Sequence, residues 1–194
     1  MPKLFSSLYK KLPEVDRVFN PGLPIIGQSD FCTLVRETLL EEAEKVVPRN
    51  HNHRGFGVGV ALLGYKSEEK PGSIARWGLF VASNIRLPGN VRKSGIRVCG
   101  EMAAMDVAHA EGYERIVALA VVGKPQPDHA THKRYPTLRP CVPCRRFMAE
   151  HRMPVLDAPL FMRTLDRQRS DTISIEELLN EQVPGKRKNR SLLG

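Results

Sequence analysis

The order of helix-like and strand-like segments in this sequence of 194 residues predicts an α/β fold with one layered sheet. Three observations support this prediction. An amphipathic segment precedes a β-hairpin pattern. A continuous apolar run at 116–122 is typical of a central strand buried on both faces. Two cysteine motifs stand where loops enter predicted helices. We expect one domain over residues 28–183, after an N-terminal extension at 1–27 and before a basic, flexible tail at 184–194.

The first half of the predicted domain contains a helix and a hairpin. Residues 30–47 carry apolar side chains at a spacing near 3.6, which predicts an amphipathic helix that ends at Pro48. Residues 56–65 and 75–84 are apolar and β-branched, and a polar turn separates them, so together they predict a hairpin.

The second half alternates helices and strands. A helix at 99–110 ends near Gly112 and leads into the central strand. After a long polar loop, we expect a helix at 141–151, a strand at 155–162 and a short helix at 174–179.

Three of the four cysteines form a pattern that favours a catalytic zinc site. Cys141 and Cys144 have the spacing of two thiolates on one metal, and Cys99 adds a third ligand. Three protein ligands leave one tetrahedral position open, as catalytic zinc sites do. Glu101 stands two residues after the first ligand, where it can reach a water at that position. A structural zinc ribbon requires a second C-x-x-C pair, and a redox C-x-x-C would leave the Cys99 motif unexplained.

Composition limits the partners and the compartment. The net charge of +9 and the pI near 9.7 favour phosphate-bearing partners, although part of the charge lies in the tail at 186–190. Only 6% of residues are aromatic, so stacking platforms for single-stranded nucleic acid are scarce. No apolar run is long enough to predict a membrane span, and charged residues interrupt 1–26, so we do not expect a signal peptide there. With three cysteines on metal, only Cys32 is left for a disulfide, so we expect a reducing, cytoplasmic location.

The motifs also resemble those of a known family. The pattern C-x-E followed by P-C-x-x-C is typical of zinc deaminases. From about Ser29 to Leu179 the chain resembles the small, homotetrameric, triple-cysteine cytidine deaminases, a group that includes the blasticidin-S deaminases. The matching segments are FGVGVALL at 56–63, Asn84-Ile85, CGE at 99–101, PCVPCR at 140–145 and SIEELL at 174–179.

The resemblance implies a three-layer α/β/α sheet with flanking helices, Zn²⁺ as cofactor and a homotetramer whose active sites are shared between subunits. Cys99, Cys141 and Cys144 would hold the zinc, and Glu101 would shuttle protons. The implied substrate-binding residues are Phe56, which would stack on the pyrimidine ring, Asn84, which would bind the ribose hydroxyls, and Gly100 and Arg86 beside them.

Four departures from the family pattern concern the substrate and the charge of the zinc site. Arg86 replaces the family's ribose-binding glutamate. Met102 replaces an arginine that offsets the thiolates, so Arg145, in the second shell of the metal, would take that role together with Arg97. The segment between Asn84 and Cys99 is longer than usual and basic. Residues 180–183 replace the aromatic residue that usually follows the E-E-L-L segment.

The sequence leaves four candidate functions open. The first is deamination of cytidine or deoxycytidine to the uridine product plus ammonia. The second is deamination of a phosphorylated or acidic relative, which the basic residues Arg86, Arg92, Lys93 and Arg97 favour. The third is deamination of an aminonucleoside antibiotic of the blasticidin-S type. The fourth is binding or editing of nucleic acid, which the high pI favours.

Overall fold

The computed structural model describes residues 28–48, 57–66, 76–86, 97–124, 138–151 and 154–181. The predicted extension at 1–27, the predicted basic tail at 184–194 and Phe56 lie outside these residues. None of the helices within the described ranges is both long and apolar enough to cross a membrane.

The described residues form helices and strands in an alternating order. The helices are α1 (Gln28–Lys45), α2 (Gly100–Ala110), α3 (Val142–His151) and α4 (Ile175–Asn180). The strands are β1 (Val58–Lys66), β2 (Arg76–Ser83), β3 (Ile85–Arg86), β4 (Arg97–Val98), β5 (Arg115–Gly123), β6 (Pro159–Thr164) and β7 (Ser170–Ser174).

A mixed five-stranded sheet is the centre of the fold. Its strand order is β2-β1-β5-β6-β7, and β3 pairs separately with β4. The pair β5–β6 is parallel, whereas β1–β2, β1–β5 and β6–β7 are antiparallel. Apart from Arg115, every residue of β5 is buried, which confirms the central strand that the apolar run predicted.

Helices cover both faces of this sheet. On one face, α1 buries Leu39, Leu40 and Ala43 against small sheet residues such as Ala61 and Ala120. The opposite face packs against α2, α3 and α4. The buried residues on that side include Val60, Leu62, Leu119, Val121, Met105, Met148 and Leu178. Successive strand residues point to opposite faces, so β1, β5 and β6 contribute to both cores. The predicted three-layer α/β/α arrangement is confirmed.

The contact between α1 and β1 depends on a glycine. A Cβ atom built on Gly59 would lie 1.8 Å from the carbonyl oxygen of Ala43. Only a residue without a side chain permits this approach of helix to strand.

Two parts of the chain differ from the sequence prediction. The strand predicted at 155–162 begins at Pro159, because Pro154 forms only a single bridge to Ile116 and a turn follows it. The strands β3, β4 and β7 were not predicted. β7 is a short edge strand with mostly polar residues, so its sequence lacks the apolar alternation that indicates a strand.

Candidate metal centre and active site

Three cysteines from two helix starts meet in one cluster. Cys99 is the N-cap residue of α2, and Cys141 immediately precedes α3, in whose first turn Cys144 lies. The Sγ atoms of Cys99 and Cys141 are 3.8 Å apart, those of Cys141 and Cys144 are 3.2 Å apart, and all three lie within 4.8 Å of one another. Residues 42 positions apart in the sequence therefore form one group that could hold a metal ion.

The geometry of the sulfurs fits a tetrahedral metal. Four-coordinate zinc with Zn–S bonds of about 2.3 Å places neighbouring sulfurs about 3.8 Å apart. The distance between Cys99 and Cys141 has this value, and the pair Cys141–Cys144 would widen slightly around an ion. Three soft sulfur donors suit zinc better than magnesium or calcium, which prefer oxygen. Among the described residues, no fourth histidine, cysteine or acidic residue completes the group, so the donor set leaves one position open.

The three thiols shift one another's pKa values. Hydrogen bonding with Cys144, and then with Cys99, lowers the pKa of Cys141 to about 3. Hydrogen bonding with Cys141 in turn raises the pKa of Cys99 to about 12, and the pKa of Cys144 is also raised by its contact with Cys141. Each sulfur thus changes how readily its neighbours lose their protons. A metal that binds all three as thiolates has to displace those protons, which makes its affinity depend on pH.

Glu101 is a buried acid beside the sulfurs. It lies in the first turn of α2 and is only 6% exposed. Burial raises the pKa of Glu101 to about 7, the negative charge of Cys141 adds to this rise, and a hydrogen bond with Cys144 acts in the opposite direction. A carboxyl group in this range can both accept and donate a proton near neutral pH, which general acid–base catalysis requires.

Asn84 and Gly100 lie against each other next to the cluster. The side-chain Oδ1 of Asn84 accepts a hydrogen bond of 2.8 Å from the backbone N–H of Val58, and the backbone N–H of Asn84 donates to the carbonyl of Val58 at 3.1 Å. A Cβ atom on Gly100 would lie 2.9 Å from Val60 and 3.4 Å from the backbone nitrogen of Asn84. The start of α2 thus packs directly on the strands that carry the predicted ribose-binding residue.

Arg145 is buried and braces the loop that carries Cys141. Its Nε donates to the carbonyl of Pro140 at 2.9 Å, and its Nη1 donates to the carbonyl of Leu178 at 3.1 Å. The same Nη1 lies 3.1 Å from a carboxylate oxygen of Glu181. The predicted second-shell arginine is thus tied both to the residue before a sulfur ligand and to the end of α4.

The structure also locates part of the predicted substrate segment. Arg86 lies on β3, and its register partner on β4 is Arg97. These two strands follow Asn84 and lead to Cys99, so the segment connects the predicted ribose site to the first sulfur ligand. Arg92, Lys93 and Phe56 lie outside the described residues.

Sequence reasoning missed the acidic and basic partners around Arg145. Arg139 lies 3.4 Å from Glu181 and 2.8 Å from Asp171, measured between guanidinium nitrogens and carboxylate oxygens. Glu181 stood in the segment where the family's aromatic residue is absent, and no sequence motif marks it as a partner of the arginines that flank Cys141.

The fold is similar to that of several solved structures. No protein-family model matches the sequence, and neither does any curated protein. The crystal structure of cytidine deaminase from Burkholderia pseudomallei is 23% identical, with a TM-score of 0.53, and the match covers 76% of this chain and 98% of that one. Cytidine deaminase from Mycobacterium tuberculosis is 22% identical, with a TM-score of 0.46 and coverage of 74% and 92%. That from Mycobacterium leprae is 16% identical, with a TM-score of 0.41 and coverage of 75% and 94%. The Burkholderia structure shows that this chain has the fold of a cytidine deaminase.

Proposed function

We propose that this chain is a zinc-dependent hydrolytic deaminase that converts cytidine or deoxycytidine to the uridine product and ammonia. The observation that carries the proposal is a buried carboxyl group, Glu101, beside three sulfurs with zinc-like spacing in a cytidine deaminase fold. Cys99, Cys141 and Cys144 would hold the metal. Bound zinc would supply a Lewis acid that lowers the pKa of water toward neutrality.

Glu101 would carry the protons of the reaction. Its carboxylate takes a proton from the attacking water and delivers it to the ring nitrogen, which makes C4 electrophilic. The water oxygen forms a bond to C4 and becomes a C4 hydroxyl. Glu101 then takes the remaining proton from this hydroxyl and gives it to the amino group, so the C4 carbonyl forms, the C4–N bond breaks and ammonia leaves. The burial of Glu101 supports this role, because it keeps the pKa of the carboxyl group near the operating pH.

The test replaces Glu101 with glutamine. We expect zinc-loaded Glu101→Gln to keep its metal and to release ammonia at least about 100-fold more slowly than the wild type, since general acid–base groups contribute about 10²- to 10⁴-fold. Glu111→Gln is the matched control, because Glu111 is exposed at the other end of the same helix. Comparable turnover in a zinc-loaded Glu101→Gln protein would refute the assignment.

A phosphorylated cytosine nucleotide is the second candidate substrate. The register pairs Arg86 with Arg97 on two short strands, so two arginines occupy paired backbone positions in the segment between Asn84 and Cys99. Guanidinium groups bind phosphate in a forked geometry, which favours a phosphorylated substrate. Ammonia release is therefore measured on cytidine, deoxycytidine, CMP, dCMP and an oligo-dC strand. Turnover of nucleosides supports the first candidate, turnover of CMP and dCMP alone supports the second, and turnover of the oligonucleotide alone favours nucleic-acid editing. Silence on all five substrates contradicts every one of these and directs the search to aminonucleoside antibiotics.

A homotetramer in the cytoplasm with shared active sites completes the proposal. The edge strand β2 exposes two large apolar side chains, Leu79 and Val81, which would be suited to a subunit contact. Light scattering during gel filtration tests the assembly, and a monomer at micromolar concentration would contradict it.

A further inference from the structure

Glu181 joins two arginines that stand on either side of Cys141 in the sequence. One carboxylate oxygen lies 3.4 Å from Nε of Arg139, and the other lies 3.1 Å from Nη1 of Arg145. All three side chains are at most 15% exposed. Arg139 has a second carboxylate partner in Asp171, and Glu181 forms an ion pair with Arg145. Buried guanidinium groups are costly without a counter-charge, so Glu181 stabilises both of them where they stand.

Arg145 connects Glu181 to the loop that carries Cys141. Its guanidinium donates to the carbonyl of Pro140, and its backbone N–H donates to the carbonyl of Cys141 at 2.9 Å. Cys141 is itself the exposed member of the three cysteines, so close packing does not fix it as it fixes Cys144. The position of its sulfur therefore depends on the hydrogen bonds of the residues around it.

We propose that Glu181 is a positioning residue of the metal centre: it holds Arg139 and Arg145 so that the loop from 138 to 141 presents Cys141 to the other two sulfurs. This inference rests on the zinc site of the proposed function. Glu181 touches neither the sulfurs nor the substrate in this role, and it acts through the two arginines.

The direction in which zinc affinity changes when Glu181 loses its charge separates a positioning role from a purely electrostatic one. Loss of the Glu181 charge would make the surroundings of the three thiolates more positive. A purely electrostatic influence would then favour thiolates and strengthen zinc binding. Loss of a positioning contact weakens zinc binding instead, because the sulfur of Cys141 is no longer held in place.

The experiment measures zinc affinity directly, by competition with a chromophoric chelator at fixed pH, on the full chain. We expect Glu181→Gln to weaken zinc binding about tenfold or more, as the loss of outer-shell partners of metal ligands does. Glu176→Gln is the matched control, because it removes the same charge from an exposed position on α4 and should leave the affinity unchanged. The absorption spectrum of the cobalt-substituted protein should change in Glu181→Gln and stay constant in Glu176→Gln.

Equal or tighter zinc binding by Glu181→Gln overturns the inference. If that variant does not fold, Glu181→Asp replaces it, since aspartate keeps the charge but cannot reach both arginines. A zinc affinity of Glu181→Asp equal to that of the wild type then overturns the inference in the same way. These affinities do not depend on turnover. A wild type that binds zinc but deaminates nothing refutes the proposed function and leaves the comparison of the variants intact.

Discussion

We expect the buried hydrogen bond between Asn84 and Val58 to contribute measurably to the free energy of unfolding. Asn84→Ala removes the acceptor of the buried N–H of Val58, which lies 2.8 Å from Oδ1. Val58 is 6% exposed and Asn84 is 9% exposed, so water does not readily replace the lost partner. A buried donor left without an acceptor costs about 1–3 kcal/mol. Each kcal/mol lowers the melting temperature by about 2–4 °C in a domain of this size, so we expect a decrease of about 2–12 °C.

The assay is thermal unfolding followed by circular dichroism, with Ile85→Ala as the matched control. Ile85 is the next residue and is 48% exposed, so its truncation should change the free energy of unfolding by no more than about 0.5 kcal/mol. An equal melting temperature for Asn84→Ala and the wild type would refute the hydrogen-bond reasoning.

The same variant also tests the proposed ribose contact. At a temperature where Asn84→Ala is fully folded, we expect its KM for cytidine to rise, because the side chain that would bind the sugar is gone. An unchanged KM in the folded variant would show that Asn84 serves the fold alone.

Three further predictions concern the fold, the metal and the pH dependence. Gly59→Ala should destabilise the protein by about 3 kcal/mol or more in urea unfolding, because its Cβ would collide with the carbonyl of Ala43. Cys144→Ser should abolish stoichiometric zinc binding, measured on the dialysed protein, whereas Cys32→Ser should retain it because Cys32 lies on α1 outside the cluster. Burial raises the pKa of Glu44, but hydrogen bonds from two arginines outweigh this and hold it below its usual value of 4.5. The unfolded state therefore binds more protons in acid, and the stability from Glu44 is present above pH 4.5 and is lost as the pH falls through the lowered pKa. Glu44→Gln should reduce this acid sensitivity.

Each of these three predictions has an outcome that contradicts it. Gly57→Ala is the control for Gly59→Ala, since its Cβ would lie no closer than 3.1 Å to its neighbours, and equal costs would contradict the steric argument. Zinc bound at full stoichiometry by Cys144→Ser would exclude it as a ligand. A stability profile of Glu44→Gln that matches the wild type below pH 4.5 would remove the ion pairs from the explanation.

Much of the fold could be predicted from the sequence because its core elements have strong periodic patterns. The apolar residues 116–122 predicted a buried strand, and the observed β5 extends one residue further at each end. The helix predicted at 141–151 was observed from Val142 to His151. Both segments bury their apolar residues in the way that their patterns require, so local and tertiary preferences agree there.

The site could be predicted only where a motif fixes the chemistry. The spacing of Cys99, Cys141 and Cys144 indicated a common metal before any geometry was known, and the structure brings the three sulfurs together. The partnership of Glu181 with the arginines could not be predicted, because it joins the end of α4 to a loop some forty residues earlier and has no periodic pattern. The strand β7 was not predicted for a related reason. Its backbone pairs with β6, and its polar sequence has no strand pattern.

The separation of the sulfur ligands along the chain has a consequence for folding. In the unfolded chain only the C-x-x-C pair is close enough to share an ion, because Cys99 lies 42 residues away from Cys141 and the segment between them includes α2 and β5. The site with all three sulfurs therefore forms only when the chain folds, so an ion that binds it stabilises the folded domain relative to the unfolded chain. The metal would therefore join the two helix starts on either side of the central strand, and the free energy of unfolding of the domain would depend on metal supply.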